Sequence, residues 1–219
     1  MVMDESWRLI KGMKASFWGA AIVIGLIYLA VSMMGGIILV LIGGAPNAIV
    51  KQVFNSFLGV LMTPFMMGLQ MMCVRRALGA PVSFATAFSY FPKAGTAMVA
   101  SLLVMLLSYL GIVLLIIPGI YLAVAYTLTT TLICDRELGA WDAMETSRAA
   151  ITHKWWRVFG LMIVVGLLTA VSMIGLLIPL IWTIPWLFMS TAVLYRRVFY
   201  AAQIAAVVGP PPVAPAASV

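Results

Sequence analysis

Six apolar runs separated by short loops constrain the fold of this chain more than any other feature. The runs cover residues 17–42, 52–74, 94–117, 118–134, 157–178 and 180–196. A helix needs about 20 apolar residues to cross the hydrocarbon core of a bilayer, and four of the runs reach that length. The chain is 64% hydrophobic and only 9% charged, too little polar surface to cover a soluble globule. The sequence therefore predicts an all-α membrane protein with six transmembrane helices.

The basic residues lie almost entirely on one side of the predicted membrane. Twelve of the 13 Lys and Arg residues precede the first crossing or follow the second, fourth and sixth, and only Lys51 lies in a loop on the other side. Cytoplasmic loops of membrane proteins carry such an excess of Lys and Arg. We therefore expect a protein of the bacterial cytoplasmic (inner) membrane with both termini in the cytoplasm.

The net charge of +7 does not indicate nucleic-acid binding, because the basic residues occur singly or in pairs beside apolar runs. The start of the chain is acidic and no small-residue cleavage site follows the first run, so we expect no cleaved signal peptide. Cys73 and Cys134 lie near predicted cytoplasmic ends, where a reducing compartment favours free packing thiols over a disulfide.

A short amphipathic segment precedes each outward crossing, at about residues 4–14, 83–91 and 140–155. In the second segment Ser83 is a natural N-cap, Pro92 is predicted to end the helix, and apolar residues recur at helical spacing. These apolar residues are Phe84, Ala87, Phe88 and Phe91. Such segments are typical of helices that lie along the headgroups. The predicted fold is thus three transmembrane hairpins, each preceded by a cytoplasmic interfacial amphipathic helix.

The predicted unit repeats along the chain. The pattern Ser6…Phe17-Trp-Gly19…Ile22…Gly25 aligns at a constant offset with Ser147…Val158-Phe-Gly160…Ile163…Gly166. We assign residues 1–203 to a single transmembrane domain and residues 204–219 to a disordered tail rich in Pro and Ala.

Three stretches carry a family resemblance: the Pro-Gly turn at 117–121, the segment Asp135–Arg148, and Trp155-Trp-Arg-Val-Phe-Gly160. Together with Ala192-Val-Leu-Tyr195, they resemble a pattern in bacterial membrane families. These include the YciC-like proteins and the membrane-anchor domain of some glycerophosphodiester phosphodiesterases. The resemblance covers about residues 83–200 and implies six membrane helices, in families mostly without an assigned activity. The Pro-rich tail departs from the pattern, and these 219 residues include no phosphodiesterase domain, so the resemblance implies no enzymatic role.

Residues that carry enzyme chemistry are scarce. His153 is the single histidine, and we find no phosphate-binding Gly-rich loop, no Gly-x-Ser-x-Gly turn and no His-Glu-x-x-His pair. The predicted hydrocarbon zone holds no ionisable residue of the kind that marks proton or ion pathways. We therefore expect no catalytic residue, no metal and no cofactor.

Two groups of residues are candidates for function. Polar side chains inside the crossings either join helices or line a cavity, and the candidates for a cavity are Asn55, Gln70, Tyr126, Thr127 and Thr130. The candidates for a cytoplasmic interaction face are Trp141, Glu145, Arg148, His153 and Trp155. Pro64 should kink the second helix, which either lines a cavity or matches the shape of neighbouring helices.

Two hypotheses about function follow. The first is a non-enzymatic membrane protein that serves as a scaffold, an assembly partner or a lipid-organising accessory. The second is a transporter of small solutes or lipids, or the membrane subunit of one. The expected partners are membrane lipids and either another membrane protein or a second copy of the chain.

Overall fold

The computed structural model describes residues 2–10, 12–43, 47–174 and 180–200, and the described residues form helices and turns without a strand. Two short 3-10 helices, Phe84–Phe88 and Phe91–Lys93, precede the fifth of the α-helices. The α-helices are α1 (Val2–Ile10), α2 (Lys14–Gly43), α3 (Ala48–Leu61), α4 (Thr63–Ala77), α5 (Ala94–Leu114), α6 (Ile116–Ala125), α7 (Thr129–Arg136), α8 (Ala140–Thr152), α9 (Trp155–Ile174) and α10 (Leu180–Phe199).

Several helical segments are long and apolar enough to cross a membrane. Within the described ranges these are Lys14–Gly43, Phe84–Leu114, Ile116–Arg136 and Trp155–Ser172. The bent pair α3 and α4 raises the total from four to as many as five by length and composition. The chain is thus helical with several candidate membrane spans, as predicted in coarse terms. Six crossings stay a prediction.

The second predicted crossing is broken. The axes of α3 and α4 differ by 50°, and the break falls at Met62. Pro64 lies in the first turn of α4, where its missing N–H needs no helical partner. The predicted kink is confirmed, but it lies two residues before the proline because the proline starts a helix and does not interrupt one.

The fourth predicted crossing is also not one continuous helix. Leu115, in an extended conformation, separates α5 from α6, and the predicted Pro118-Gly119 turn lies inside the first turns of α6. The predicted turn is therefore displaced by two residues, to Leu115, and Pro118 lies in the first turn of α6, where proline is favourable. A second break at residues 126–128 separates α6 from α7. Close packing joins α5 to α6, since a Cβ atom on Gly111 would lie 2.9 Å from the backbone of Gly119.

The amphipathic segments take two forms. The first and third are the α-helices α1 and α8, which end a few residues earlier than expected. The second is not one helix over 83–91 but two 3-10 helices, and Pro92 lies inside the second of them. Ser83 is the N-cap as predicted, and its backbone N–H donates to Thr86 Oγ1 at 3.2 Å. Pro92 and the polar interruptions at Ser89 and Tyr90 explain why a longer helix does not form.

Each amphipathic segment packs against at least one other helix. Helix α1 contacts α10, where Glu5 forms ion pairs with Arg196 and Arg197. The first 3-10 helix lies against α4. Helix α8 contacts α7 and α6. Because α1 packs on α10, the first and last described helices are joined.

The two copies of the sequence repeat share their pattern of burial. Helices α2 and α9 begin at Lys14 and Trp155, the same offset as the aligned residues. Pairs buried in both copies are Ser6 and Ser147, Ile10 and Ile151, Phe17 and Val158, and Ile24 and Val165. Ile22 and Ile163 are 57% and 51% exposed. Equivalent positions therefore face equivalent surroundings, which supports the predicted repeat.

Candidate functional site

A cavity of about 550 Å³ lies among α3, α4, α5, α7, α9 and α10. Most of its walls are apolar side chains, from Met66 and Met67 on α4 to Leu187 and Phe188 on α10. The polar residues that line it are Thr63, Gln70, Ser101, Thr127, Thr130, Ser190 and Thr191. A mostly apolar cavity with a few polar groups is the usual form of a site for a small molecule.

Three of the polar residues hold equivalent positions on α4, α7 and α10. Gln70, Thr130 and Thr191 each lie six residues before an arginine. Those arginines are Arg76, Arg136 and Arg197. Six residues of helix span about 9 Å, so the three side chains lie at a similar distance from the basic ends of their helices. We call Gln70, Thr130 and Thr191 the polar ring.

Hydrogen bonding in the polar ring leaves one group without a partner. Thr191 Oγ1 lies 3.1 Å from Gln70 Oε1 and 2.9 Å and 3.3 Å from the carbonyl oxygens of Phe188 and Leu187, so three acceptors compete for its single proton. Gln70 Nε2 is buried and has no hydrogen-bond partner among the residues that the structure describes. A buried donor without an acceptor is costly, and its position in a cavity wall suits a ligand oxygen.

A smaller cavity of about 230 Å³ adjoins the first. Ser101 and Thr130 line both cavities, and Tyr126 and Thr129 line only the smaller one. Thr129 is 2% exposed, and its Oγ1 has no hydrogen-bond partner in the described part of the chain. The smaller cavity is therefore also lined by a residue whose hydroxyl group has no hydrogen-bond partner in the described part of the chain.

The larger cavity reaches the outside of the helix bundle. Met66 lines it and is 42% exposed. Gly59 and Gly166 also line it, and a Cβ atom on either would meet nothing within 4 Å. A molecule could therefore enter from the side, between helices.

A polar cluster fixes α7 against α10 beyond the polar ring. Asp135 accepts hydrogen bonds from Tyr195 at 2.5 Å and from Tyr200 at 2.7 Å. Burial and the bond to Asp135 raise the pKa of Tyr200 to about 12, so its hydroxyl remains a donor at neutral pH. The Arg136 guanidinium lies 4.7 Å from the centre of the Phe199 ring, which adds a cation–π contact.

A second connection joins the start of α5 to the end of α7. Lys93 Nζ donates to Glu137 Oε1 at 2.7 Å and to the carbonyl oxygen of Cys134 at 3.3 Å. The hydrogen bond and charge of Lys93 hold the pKa of Glu137 below its usual value. Glu137 ends α7 with a left-handed φ of 56°. These contacts hold two walls of the smaller cavity together.

The predicted cavity residues have different outcomes. Gln70, Thr127 and Thr130 line the larger cavity, and Tyr126 lines the smaller one. Asn55 lines neither of these two cavities and is exposed on α3, so its role as a cavity residue stays a prediction. Gly59, further along α3, does line the larger cavity.

The predicted interaction face is exposed in part. Trp141 is 65% exposed, and His153 is exposed at the end of α8. Arg148 Nε donates to Glu145 Oε2 at 3.0 Å, the predicted i, i+3 pair, and this bond lowers the pKa of Glu145. The sequence alone could find this pair because its spacing on one helix is local.

Trp155 does not belong to a free surface. It is half-buried, stacks on Phe159 with ring centres 4.6 Å apart, and donates its Nε1–H to the Tyr121 carbonyl oxygen at 3.4 Å. Contacts with α6 and α9 cover part of the ring, so its role as an interaction residue stays a prediction. The neighbouring Trp156 is 78% exposed, so Trp156 presents more of its ring to the surface than Trp155 does.

The described residues contain no group of three or more His, Cys, Asp or Glu side chains that could hold a metal ion. Cys73 and Cys134 are free and buried. The thiols thus fill space between helices, as free cysteines commonly do.

Our sequence reasoning did not select Ser101 or Thr191 as cavity residues. The constant spacing of Gln70, Thr130 and Thr191 from a following arginine was a usable signal for Thr191. No spacing of this kind marks Ser101, whose place depends on how α5 packs against α7.

Comparison with protein-family models, with curated proteins and with solved structures finds no match to this chain. The resemblance described above to the YciC-like and membrane-anchor families therefore stays a prediction.

Proposed function

We propose that this chain is a non-enzymatic, lipid-organising accessory of the bacterial inner membrane, which binds one membrane amphiphile in the larger cavity. The observation that supports this most is the cavity itself, about 550 Å³ with apolar walls and a polar ring. That volume falls in the range of small-molecule sites, roughly 300–1,000 Å³. Its opening beside Met66 suits a ligand that arrives through lipid.

The proposal includes six crossings, formed by α2, the α3–α4 pair, α5, the α6–α7 pair, α9 and α10, with the amphipathic segments at the cytoplasmic surface. The support is the charge pattern. Basic residues end α4, α7 and α10, and Lys51 lies alone at the start of α3. Excess Lys and Arg on one side favour that side as the cytoplasm.

Single cysteines at positions 51 and 148 test this orientation. In intact cells, an impermeant maleimide should label the Lys51→Cys variant and leave the Arg148→Cys variant unlabelled until the cells are permeabilised. Both native cysteines are buried, so they should contribute little background. Labelling of position 148 but not of position 51 in intact cells would reverse the proposed topology.

A Gly166→Phe variant tests the proposed binding function. The new side chain has room at its Cβ, so the helix should form normally while the ring fills part of the cavity. We expect the amount of lipid that copurifies in mild detergent, measured by native mass spectrometry, to fall at least about tenfold. Loss of that size corresponds to about 1.4 kcal/mol of binding free energy.

Gly160→Phe is the matched control for this experiment. Gly160 lies on the same helix, its Cβ would also meet nothing within 4 Å, and it does not line the cavity. The control should retain bound lipid and the elution profile of the wild type. Equal lipid retention by both variants would contradict binding in this cavity.

A lipid transporter is the alternative that the same cavity supports. Transport would require the bound molecule to leave toward both leaflets, so it predicts movement of labelled lipid across liposomes that contain the protein. Binding without accelerated movement supports the accessory role. Movement that Gly166→Phe blocks and Gly160→Phe does not block supports transport.

A scaffold is a second candidate, which the exposed tryptophans favour. Trp141 and Trp156 are 65% and 78% exposed, and Trp141 lies on the same helix as the Glu145–Arg148 pair. Tryptophan is enriched in protein interfaces and in the headgroup region of membranes. If Trp141 and Trp156 bind a membrane protein, changing both tryptophans to Ala should remove one defined partner from a native-membrane pull-down. Unchanged recovery of partners would favour a lipid-facing role.

A further inference from the structure

We infer that the ligand is an uncharged amphiphile with one acyl chain and a small hydroxylated head, as in a monoacylglycerol. The inference rests on the proposed binding function and deepens it. The acyl chain would lie in the larger cavity and the head in the smaller one. The argument depends on how polarity, charge and unpaired hydrogen-bonding groups are distributed between the two cavities.

The two cavities are adjacent and differ in polarity. Ser101 and Thr130 line both, so these residues mark the junction. Four of the seven residues around the smaller cavity carry hydroxyl groups: Ser101, Tyr126, Thr129 and Thr130. Eight of the 17 residues around the larger cavity are methionine, leucine, valine or phenylalanine. This division matches an elongated molecule with one polar end.

The size of the smaller cavity limits the head. A volume of about 230 Å³ accommodates roughly seven water-sized groups. A glycerol head has six non-hydrogen atoms and fits within that volume.

The lining also argues against a charged head. Among the described residues that line either cavity, none is Asp, Glu, Lys, Arg or His. An ion buried without an opposite charge is strongly disfavoured in an apolar, water-poor site. An ionised fatty acid or a phosphate would therefore bind worse than an uncharged ester with the same chain.

Two unpaired groups indicate where the ligand oxygens would bind. Gln70 Nε2, on a residue that lines the larger cavity, needs an acceptor, and an ester carbonyl oxygen supplies one. The buried Thr129 hydroxyl, in the smaller cavity, can pair with a hydroxyl of the head. A ligand that satisfies both groups removes two unfavourable buried polar atoms from the protein.

Binding of three probes with the same oleoyl chain tests the inference. The full chain in nanodiscs is titrated with monooleoylglycerol, with oleate at pH 8, and with oleoyl lysophosphatidylglycerol, and bound probe is measured by native mass spectrometry. We expect monooleoylglycerol to bind at least about tenfold more tightly than either charged probe. Equal or tighter binding of a charged probe would overturn the inference.

Thr129→Val tests the position of the head. The substitution preserves shape and removes the hydroxyl, so we expect roughly tenfold weaker binding of monooleoylglycerol. Ser108→Ala is the control, because Ser108 Oγ is also buried without a partner among the described residues but lines neither cavity. Unchanged affinity in Thr129→Val, or an equal loss in Ser108→Ala, would contradict the proposed placement.

The Gly166→Phe variant separates this inference from the proposed function. If it weakens binding of all three probes while the charged probes bind as well as monooleoylglycerol, the cavity binds lipid but the inference is wrong. If no probe responds to Gly166→Phe, the proposed function and the inference both fail.

Discussion

A Gly68→Ala variant is expected to lose most of the stability of the folded protein. Gly68 lies in α4, where a Cβ atom would be only 1.7 Å from the carbonyl oxygen of Ala87 in the first 3-10 helix. Both residues are buried, and the clash involves backbone, so no side chain can move to relieve it. Overpacking typically costs about 1–3 kcal/mol and occasionally more, and we expect this case to exceed about 3 kcal/mol.

The measurement is the midpoint of thermal unfolding in detergent, followed by fluorescence-detected size-exclusion chromatography. Gly59→Ala is the control, because Gly59 lies on the adjoining α3 with nothing within 4 Å of its added Cβ. Alanine is about 0.5–1 kcal/mol better than glycine inside a helix, so the control should be as stable as the wild type or more stable. If Gly68→Ala matched the control, the described contact between α4 and the 3-10 helix would be wrong.

A Ser147→Ala variant is expected to have the second largest effect. Ser147 on α8 is fully buried, donates to the Ala125 carbonyl oxygen at 2.7 Å and accepts from the Leu128 N–H at 3.3 Å. These two backbone groups flank the break between α6 and α7. Removing the hydroxyl leaves the Ala125 carbonyl oxygen and the Leu128 N–H buried without this hydrogen-bond partner. Each group left without it should lower the free energy of unfolding by about 1–3 kcal/mol.

Ser190→Ala separates the loss of these bonds from the mere removal of a buried hydroxyl. Ser190 is 1% exposed, but its Oγ donates to the Trp186 carbonyl oxygen on its own helix, which the helix already satisfies. We expect a shift in unfolding midpoint for Ser147→Ala that is several times larger than for Ser190→Ala. Hydrogen exchange at Leu128 should also increase in Ser147→Ala alone, and unchanged exchange would contradict the proposed bracing.

Local features were predictable from residue order because their causes are local. The Ser83 N-cap, the Glu145–Arg148 pair and the bend near Pro64 each depend on residues within one turn or two of helix. The repeat offset was equally visible, and the structure adds that aligned residues share their burial. Hydrophobic periodicity alone could not detect the break between α6 and α7. The hydroxyl of Ser147, which lies far along the chain, forms the hydrogen bonds that stabilise the backbone at this break.

In the candidate site, too, the type of residue was predictable from the sequence, whereas its position in space was not. Gln70, Thr127 and Thr130 were recognisable as polar residues in apolar segments. Asn55 had the same character but is exposed on α3 and lines neither cavity, and Trp155 had the character of a surface aromatic but is half-buried against Phe159. In both cases the chemistry of the residue was correct and its position in space decided its role.

Hydropathy and charge by themselves determined that the chain is helical, that several segments can span a membrane, and which segment ends carry the basic residues. These properties depend on the transfer of single segments between water and hydrocarbon, which each segment's composition fixes. The tertiary structure alone decided that α4, α7 and α10 bring Gln70, Thr130 and Thr191 to one cavity. That arrangement depends on contacts between residues far apart in the chain, such as Gly68 with Ala87 and Ser147 with Ala125, and no single segment encodes it.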